Sequence, residues 1–315
     1  MSAAAVLLVL ASGFLHAVWN LLTKRSGDKK TFLWAAQTVS ALLYLPWTWH
    51  DLARTEMTAE SWLFLLLSAA LHGIYMYLLA ATYEAGDLSQ VYPIMRGTSP
   101  LLVPLVGVLL LGEPLTVWGW LGVLAIVAGI ATLSEAAPGR RMAVRVAPTG
   151  EAAPRPERRS DDAAPEQAAL PAGSALRSYK APLLALAVGL AIAAYIVVDK
   201  LALNHVTPVI LIEATNIGNA LVLLPAVLRS GLIRSEVRRH KRSMLVGGAL
   251  MPSGYVLFLF ALSLAPVAQL APMREIGTVF GAALGIAVLK ERGGVRRMLA
   301  SCLITAGVIA LGAAG

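Results

Sequence analysis

The chain is poor in charged residues and in cysteine. Only 14% of its 315 residues are Asp, Glu, Lys or Arg, whereas 57% are hydrophobic, and the mean hydropathy is +0.70. A soluble domain carries about 25% charged residues, so this composition excludes a soluble globular fold. The single cysteine, Cys302, cannot form an intrachain disulfide and indicates nothing about the redox compartment.

The sequence consists mostly of long apolar stretches. A helix needs roughly 20 mostly apolar residues to cross a bilayer, and ten such stretches follow one another along the chain. The sequence therefore predicts an all-α integral membrane protein with ten transmembrane helices. The predicted spans are 3–23, 31–50, 61–84, 89–112, 115–134, 181–203, 207–229, 243–264, 267–290 and 295–314.

The first span is predicted to be a retained helix rather than a secretory signal. No basic residue precedes its apolar run. Polar residues continue the helix where a cleavage region would lie, namely His16, Trp19 and Asn20.

Basic residues are concentrated in alternate loops. Of the 26 Lys and Arg residues, 22 lie in the odd-numbered loops, and the opposite side carries only Arg54. The positive-inside rule places the odd-numbered loops in the cytoplasm and both termini outside, in a multi-pass protein of the cell inner (plasma) membrane. The net charge of +8 is then a signal of topology and of contact with anionic lipid, and no nucleic-acid partner is predicted.

One long polar segment divides the chain. Residues 136–178 are rich in Ala, Pro and Arg and show no apolar periodicity, so they are predicted to form a flexible cytoplasmic linker. The flanking regions, 1–135 and 179–315, each contain five predicted spans.

The two regions are repeats of each other. With an offset of 178 and no gaps, residues 95–134 align with 273–312 with 11 identities, among them Met-Arg at 95–96 and 273–274. A glutamate follows the arginine by 17 positions in both copies. Because each repeat has an odd number of spans, the two must enter the membrane from opposite sides, which is the inverted-repeat architecture of many secondary transporters.

The chain resembles the EamA-type branch of the drug/metabolite transporter superfamily. The resemblance lies in the ten spans in two inverted halves, in fourth and ninth spans interrupted by proline, and in the segment GEPLTVWGWLGVLAIVAGI that begins at Gly112. The second copy departs from the pattern, with Lys290 in place of the glycine and a basic turn after Glu291. The resemblance implies transport without naming a substrate.

Arg96 and Arg274 are the leading candidates for substrate binding. Each lies inside a span, two or three residues after a proline, and a proline can kink or unwind a helix and expose polar backbone. A guanidinium there suits a carboxylate or a phosphate. The alternative is an internal ion pair with Glu275 or Glu213 that holds the halves together.

A polar stripe marks the seventh span. Glu213, Asn216 and Asn219 recur at spacings of three and share one helical face. A carboxylate removed from water favours its neutral form unless it is paired, so Glu213 is a candidate for substrate binding and proton coupling, Asn216 for substrate binding, and Glu275 for proton coupling.

Aromatic and imidazole side chains supply candidate cavity walls. His16 and Trp19 share a face of span 1, and Tyr75 lies near His72 in span 3. Such rings line cavities and bind cations, so His16, Trp19 and Tyr75 are predicted substrate-binding residues. No metal site is predicted, because the two histidines lack further partners.

Two other sets of residues are given structural roles. Asp199 and Lys200 are read as a boundary pair near water at the end of span 6. Gly277, Gly281 and Gly285 form overlapping GxxxG patterns and are predicted to pack span 9 closely, against span 4.

Together these features predict a monomeric secondary transporter that exports small metabolites, most favourably amino acids or related zwitterions, by alternating access. A drug or quaternary-cation exporter and a flippase of lipid-linked substrates are the alternatives. No metal-ligand spacing, phosphate loop or serine elbow is found, so no catalytic residues and no cofactor are predicted.

Overall fold

The computed structural model of the chain describes residues 2–25, 28–85, 88–135, 172–289 and 295–313. Within these ranges every regular element is a helix. The predicted all-α fold of ten spans in two halves is confirmed, with eleven helices because two of them share the ninth span.

The helices are numbered in chain order. The first half contains α1 (Ala3–Arg25), α2 (Lys29–Leu52), α3 (Ala59–Ala85), α4 (Leu88–Leu110) and α5 (Val117–Glu135). The second half contains α6 (Ala172–Ala202), α7 (Pro208–Ser230), α8 (Ile233–Leu264), α9 (Val267–Met273), α10 (Ile276–Leu289) and α11 (Val295–Ala313).

Length and composition alone qualify five segments of the described chain as membrane-crossing: Ala59–Leu79, Lys180–Ala202, Pro208–Ser230, Ile233–Leu264 and Val267–Val288. Shorter apolar helices lie at Ala3–Trp19, Ile94–Leu110, Val117–Thr132 and Met298–Ala313. Large apolar side chains on several helices face outward, including Leu66, Leu109, Trp118 and Leu221. Such wide apolar exposure is foreign to a soluble monomer and suits contact with lipid.

The helix packing follows a pseudo-twofold axis. Helix α1 packs against α8 and α10 of the second half, while its counterpart α6 packs against α3 and α4 of the first half. In addition, α2 packs against its own counterpart α7, and α5 packs against its own counterpart α11. Each half therefore buries its apolar faces mainly against the other, so the two repeats form one core.

Glycine allows a close contact between α5 and α11. A β-carbon added at Gly122 would lie 2.8 Å from the carbonyl oxygen of Gly307, and one added at Gly307 would lie 2.5 Å from that of Gly122. The crossing is symmetric, since Gly129 lies in the same way against the carbonyl of Ala300. Without a side chain at these positions the two backbones approach closely in lipid.

The ninth span is broken at its arginine. Helix α9 ends at Met273, α10 begins at Ile276, and Arg274 and Glu275 lie between them. Across this break the amides of Glu275, Gly277 and Thr278 bond to the carbonyls three residues earlier, which is the tighter 3₁₀ pattern that often marks a functional hinge. Helix α4, by contrast, is continuous from Leu88 to Leu110, so the predicted interruption of the fourth span is wrong.

The glycine pattern of span 9 lies on α10, which packs against α1. A β-carbon at Gly277 would lie 3.0 Å from the carbonyl of Gly13, whereas one at Gly281 would meet nothing within 4 Å. Gly285 is buried. The prediction that the glycine pattern packs against span 4 is wrong. Span 4 packs against the first segment of span 9, α9, whereas the glycines lie on the second segment, α10. The break turns these two segments towards different neighbours.

Helix α6 begins at Ala172, inside the range predicted for the linker. Residues 172–178 include Ala, Leu and Arg, which are good helix formers, and this favours an earlier start. The other linker residues, 136–171, lie outside the described residues.

Candidate functional site

A cavity of about 100 Å³ lies between the two halves. Its wall receives side chains from α1, α2, α3, α6, α7 and α8 and from the break between α9 and α10. We call it the central cavity. Five of the predicted substrate-binding residues line it: His16, Trp19, Tyr75, Asn216 and Arg274.

A smaller second cavity, of about 20 Å³, adjoins the first. His16, Tyr195 and Arg274 line both cavities. Arg96 and Glu275 line the second one. The two pseudo-symmetric arginines therefore share the second cavity, and of the two only Arg274 also lines the central cavity.

Arg274 is held by aromatic rings. The guanidinium carbon lies 4.8 Å from the ring centre of Tyr255 and 4.6 Å from that of Phe258. Among the described residues, no hydrogen-bond acceptor and no carboxylate within 4 Å engages this guanidinium. The rings hold the guanidinium by cation–π contact while its N–H donors remain available at the cavity wall.

Arg96 has protein partners instead. Its Nη1 lies 3.7 Å from Glu275 Oε1, and its Nη2 lies 3.2 Å from His16 Nε2. The side chain of Glu275 is only 11% exposed. The ion pair, which the sequence left open as the alternative to a substrate clamp, thus joins α4 to the break in the ninth span.

His16 connects Arg96 with the aromatic wall. Trp19 Nε1 donates to His16 Nδ1 across 3.2 Å, on the opposite side of the ring from Arg96. Indole and guanidinium groups only donate, and a neutral imidazole has one acceptor nitrogen. His16 therefore accepts from only one of its two neighbours at a time, and a protonated ring would accept from neither.

Buried amides in the cavity wall lack partners. Gln37 Oε1, Asn216 Nδ2 and Asn219 Oδ1 have no hydrogen-bond partner within the described part of the protein, although all three side chains line the central cavity. An unpaired buried polar atom costs about 1–3 kcal/mol. A polar ligand in the cavity could satisfy these atoms.

Glu213 lies away from the cavity wall. It is buried on α7, one turn from Asn216, but it does not line either cavity. Its Oε2 has no hydrogen-bond partner among the described residues. The shared face predicted for Glu213, Asn216 and Asn219 therefore reaches the cavity only with its two amides.

The interpretation of Asp199 as a boundary residue is wrong. Asp199 is fully buried and accepts hydrogen bonds from Ser68 and Tyr255. Its sequence neighbour Lys200 fits the boundary role, since Nζ donates to the carbonyls of Leu262 and Ala265 at the end of α8. Successive residues point about 100° apart on a helix, so the two side chains take different directions.

Polar contacts join the two halves at one end of the bundle, on the side predicted to lie outside. The carboxylate of Glu113 accepts from the first two amides of α9, of Val267 and Ala268, at 2.9 and 2.8 Å. Thr207 donates to Asp51 across 2.7 Å. Both contacts join the first half of the chain to the second.

The profile of the EamA-like transporter family matches residues 3–134 and 179–313. The chain belongs to the EamA-like transporter family. The two matched regions coincide with the two five-span halves, and membership sets this EamA-like protein among transporters rather than enzymes.

The relatives of this EamA-like protein support its fold but do not indicate a substrate. A protein of a Sinorhizobium species, described as an uncharacterised transporter in the cobO 3′ region, is 36% identical over 80 residues, which is 25% of this chain. The chain spans 56% of the length of that relative. A crystal structure of a protein superposes with a TM-score of 0.66 over 99% of both chains at 14% identity, so that likeness is one of fold alone.

Proposed function

We propose that this EamA-like protein is a secondary transporter that exports small zwitterionic metabolites, with amino acids as the leading class. The observation that carries the proposal is the guanidinium of Arg274, which lines both cavities and has no protein acceptor among the described residues. An arginine held against two rings, with its N–H donors available, can bind a carboxylate through two parallel hydrogen bonds.

The central cavity also offers groups that can bind the ammonium group of a zwitterion. The amide oxygens of Gln37 and Asn219 are buried at the cavity wall without donors in the described structure. Trp19 and Tyr75 present aromatic rings to the same cavity. Amide oxygens and ring faces both accept an ammonium group, which supports a substrate with both charges.

A cation without a carboxylate fits less well. Arg274 is the one Lys, Arg, Asp or Glu among the described side chains that line the central cavity. A quaternary ammonium would meet a positive charge there and no carboxylate. The drug or cation exporter is therefore the less favoured alternative.

Alternating access suits the pseudo-symmetric packing. Contacts join the halves at the end of the bundle predicted to lie outside, at Glu113 and at Asp51, and the break at Arg274 and Glu275 offers a hinge beside the cavities. We infer a resting state closed outside, in which substrate enters from the cytoplasm. Breaking these contacts would then open the outer path.

Two further predicted roles have less support. Arg96 remains a predicted binding residue at the second cavity, but its guanidinium is already paired with Glu275. Glu275 and Glu213 were predicted to couple protons, yet one is in that ion pair and the other lies off the cavity wall.

Counterflow in proteoliposomes tests the proposal. Vesicles preloaded with mixed amino acids should take up labelled amino acids with the wild-type protein, and Arg274→Gln should reduce this exchange at least ~10-fold, since a charge-assisted hydrogen bond contributes about 1.5–3 kcal/mol. Arg54→Gln, a change of the same type at an exposed site, should leave exchange unchanged. Exchange of choline in place of amino acids, unaffected by Arg274→Gln, would favour the cation exporter and refute the proposal.

A further inference from the structure

A carboxylate is buried next to the central cavity. Asp199 on α6 is 0% exposed. Its Oδ1 accepts from Ser68 Oγ across 2.5 Å, and its Oδ2 accepts from the hydroxyl of Tyr255. A third group, His72 Nε2, lies 3.8 Å from Oδ2. Asp199 is therefore surrounded by groups of α3 and α8 without access to water.

The geometry of His72 shows where one proton lies. Its Nδ1 is 2.9 Å from the carbonyl oxygen of Ser68. A carbonyl only accepts, so Nδ1 carries a hydrogen. The nitrogen that faces Asp199, Nε2, then either holds a second proton or presents a lone pair to a carboxylate oxygen.

The contact between His72 and Asp199 is attractive only when the pair holds that additional proton. With it, the pair is an imidazolium with a carboxylate, or an imidazole with a carboxylic acid, and both are electrically neutral. Without it, a buried carboxylate faces a lone pair, and a buried charge without a counter-charge is costly. The site is therefore built around one exchangeable proton.

The same groups form the cavity wall. His72, Tyr255 and Tyr195 line the central cavity, and the ring of His72 stacks on that of Tyr195 with centres 4.1 Å apart. The ring of Tyr255 carries Arg274 on its face and donates its hydroxyl to Asp199. One tyrosine thus separates the buried carboxylate from the proposed substrate clamp.

Other charged groups around Asp199 are engaged elsewhere or face the cavity. Lys200 on the same helix bonds to carbonyls of α8. On α4, Arg96 pairs with Glu275. Six described titratable or charged side chains lie on α6 or on the elements packed around it and bear on the pair of Asp199 and His72. They are His72 itself, Tyr195, Tyr255, Lys200, Arg96 and Arg274.

We propose that Asp199 and His72 form a proton-binding site that couples this protein to a proton gradient, with one proton carried per substrate. The proposal rests on the proposed transport function. When the pair loses its proton, the negative charge of Asp199 attracts Arg274 and repels the carboxylate of the substrate. Proton and substrate therefore bind together, and by linkage each raises the affinity for the other. Both then cross in the same direction, so export is driven by the outward gradient of the substrate and carries protons out with it, while an inward proton gradient opposes it.

Efflux from proteoliposomes tests the direction of this coupling. Vesicles loaded with labelled mixed amino acids should release them several-fold faster when the lumen is acidic than when the pH is equal on both sides. Asp199→Asn and His72→Gln should abolish this response to the pH gradient but retain counterflow, which needs no net proton movement. Variants that retain the wild-type response, or a wild type that shows none, would overturn the proposal.

A matched pair of variants controls for the chemical change. Glu236 and His240 form another carboxylate–imidazole pair, with His240 Nε2 3.7 Å from Glu236 Oε2, in the first turns of α8 before its apolar segment. Glu236→Gln and His240→Gln should leave both the pH response and counterflow intact. Tyr255→Phe keeps the ring beneath Arg274 and removes the donor to Asp199, so it should shift the pH at which efflux accelerates. An unshifted pH would contradict the coupling.

Infrared difference spectroscopy separates this proposal from the choice of substrate. Acidifying the wild-type protein in lipid should produce a new carboxylic-acid or imidazolium band, which should be missing from Asp199→Asn and His72→Gln. The measurement needs no substrate, so it remains decisive if amino-acid counterflow fails in every protein. Spectra of the two variants identical to the wild-type spectrum would refute the proton site.

Discussion

Arg96 and Arg274 occupy the same position in the two repeats, yet they have different partners. Arg96 faces Glu275 and His16, while Arg274 lies on the rings of Tyr255 and Phe258. One guanidinium is bound to the protein, and the other presents its donors to the cavity. The two repeats have kept an arginine at the same position, but the two side chains have different partners.

The backbone explains the divergence. Helix α4 continues through Arg96, whereas the ninth span breaks at Arg274, so that Glu275 lies between two helices. The extra carboxylate at the break neutralises the arginine of the other half. An asymmetric break thus leaves one arginine for a ligand, on a scaffold whose helix contacts remain symmetric.

The largest difference should appear in stability. Glu275→Gln leaves the partly buried Arg96 without this carboxylate and should destabilise the protein by about 2–3 kcal/mol. Arg274→Gln removes two ring contacts of about 0.5–1 kcal/mol each but no hydrogen bond or ion pair to described residues, so it should cost no more than about 1–2 kcal/mol. Denaturant unfolding in detergent measures both.

A double variant supplies the control for this comparison. Arg96→Gln with Glu275→Gln removes both charges of the pair, and it should regain most of the stability lost by Glu275→Gln alone. If Arg274→Gln destabilised the protein as much as Glu275→Gln does, the two arginines would not differ as described.

Where the scaffold is symmetric, equivalent changes should have equal effects. Gly129→Ala and Gly307→Ala, which the offset of 178 makes equivalent, each push a β-carbon to within 2.9 Å of a backbone carbonyl oxygen across the α5–α11 contact. Each should destabilise the protein by about 1–3 kcal/mol. Gly281→Ala, which meets nothing within 4 Å, should instead gain up to about 1 kcal/mol from helix propensity. Thermal unfolding in detergent would show the pattern, and unequal losses at the two crossing glycines would contradict the symmetry.

Much of the fold was predictable, because bilayer thickness dictates the length of each span and a repeat with an odd number of spans must invert. His16, Trp19, Tyr75 and Asn216, which the sequence predicts to bind substrate, line the central cavity, and their binding role stays a prediction. A polar or aromatic side chain inside an apolar span has few other places to lie, so its presence alone is informative.

The rotation of each helix was not predictable from one sequence. Asp199 was misplaced because its adjacent lysine suggested water. The predicted role of Glu213 stays a prediction, and Glu213 does not line the central cavity because spacing defines a helical face but not the neighbour of that face. Gln37, Tyr195 and Tyr255 were missed, although Tyr195 and Asp199 share a face at a spacing of four, as Ser68 and His72 do. Those two matching pairs are the signal that points to the buried network.

The smallest expected effect concerns the rings that hold Arg274. Phe258→Leu keeps an apolar side chain of similar reach but removes one of the two faces on which the guanidinium lies. A cation–π contact contributes about 0.5–1 kcal/mol, so the half-saturation concentration for exchange should rise by a factor of about two to five with the maximal rate unchanged. Phe260→Leu, on the exposed side of the same helix, should have no effect. A lower maximal rate at unchanged half-saturation would mean that Phe258 supports the movement of α8 rather than the orientation of Arg274, and the contrast between the two arginines would then rest on the ion pair alone.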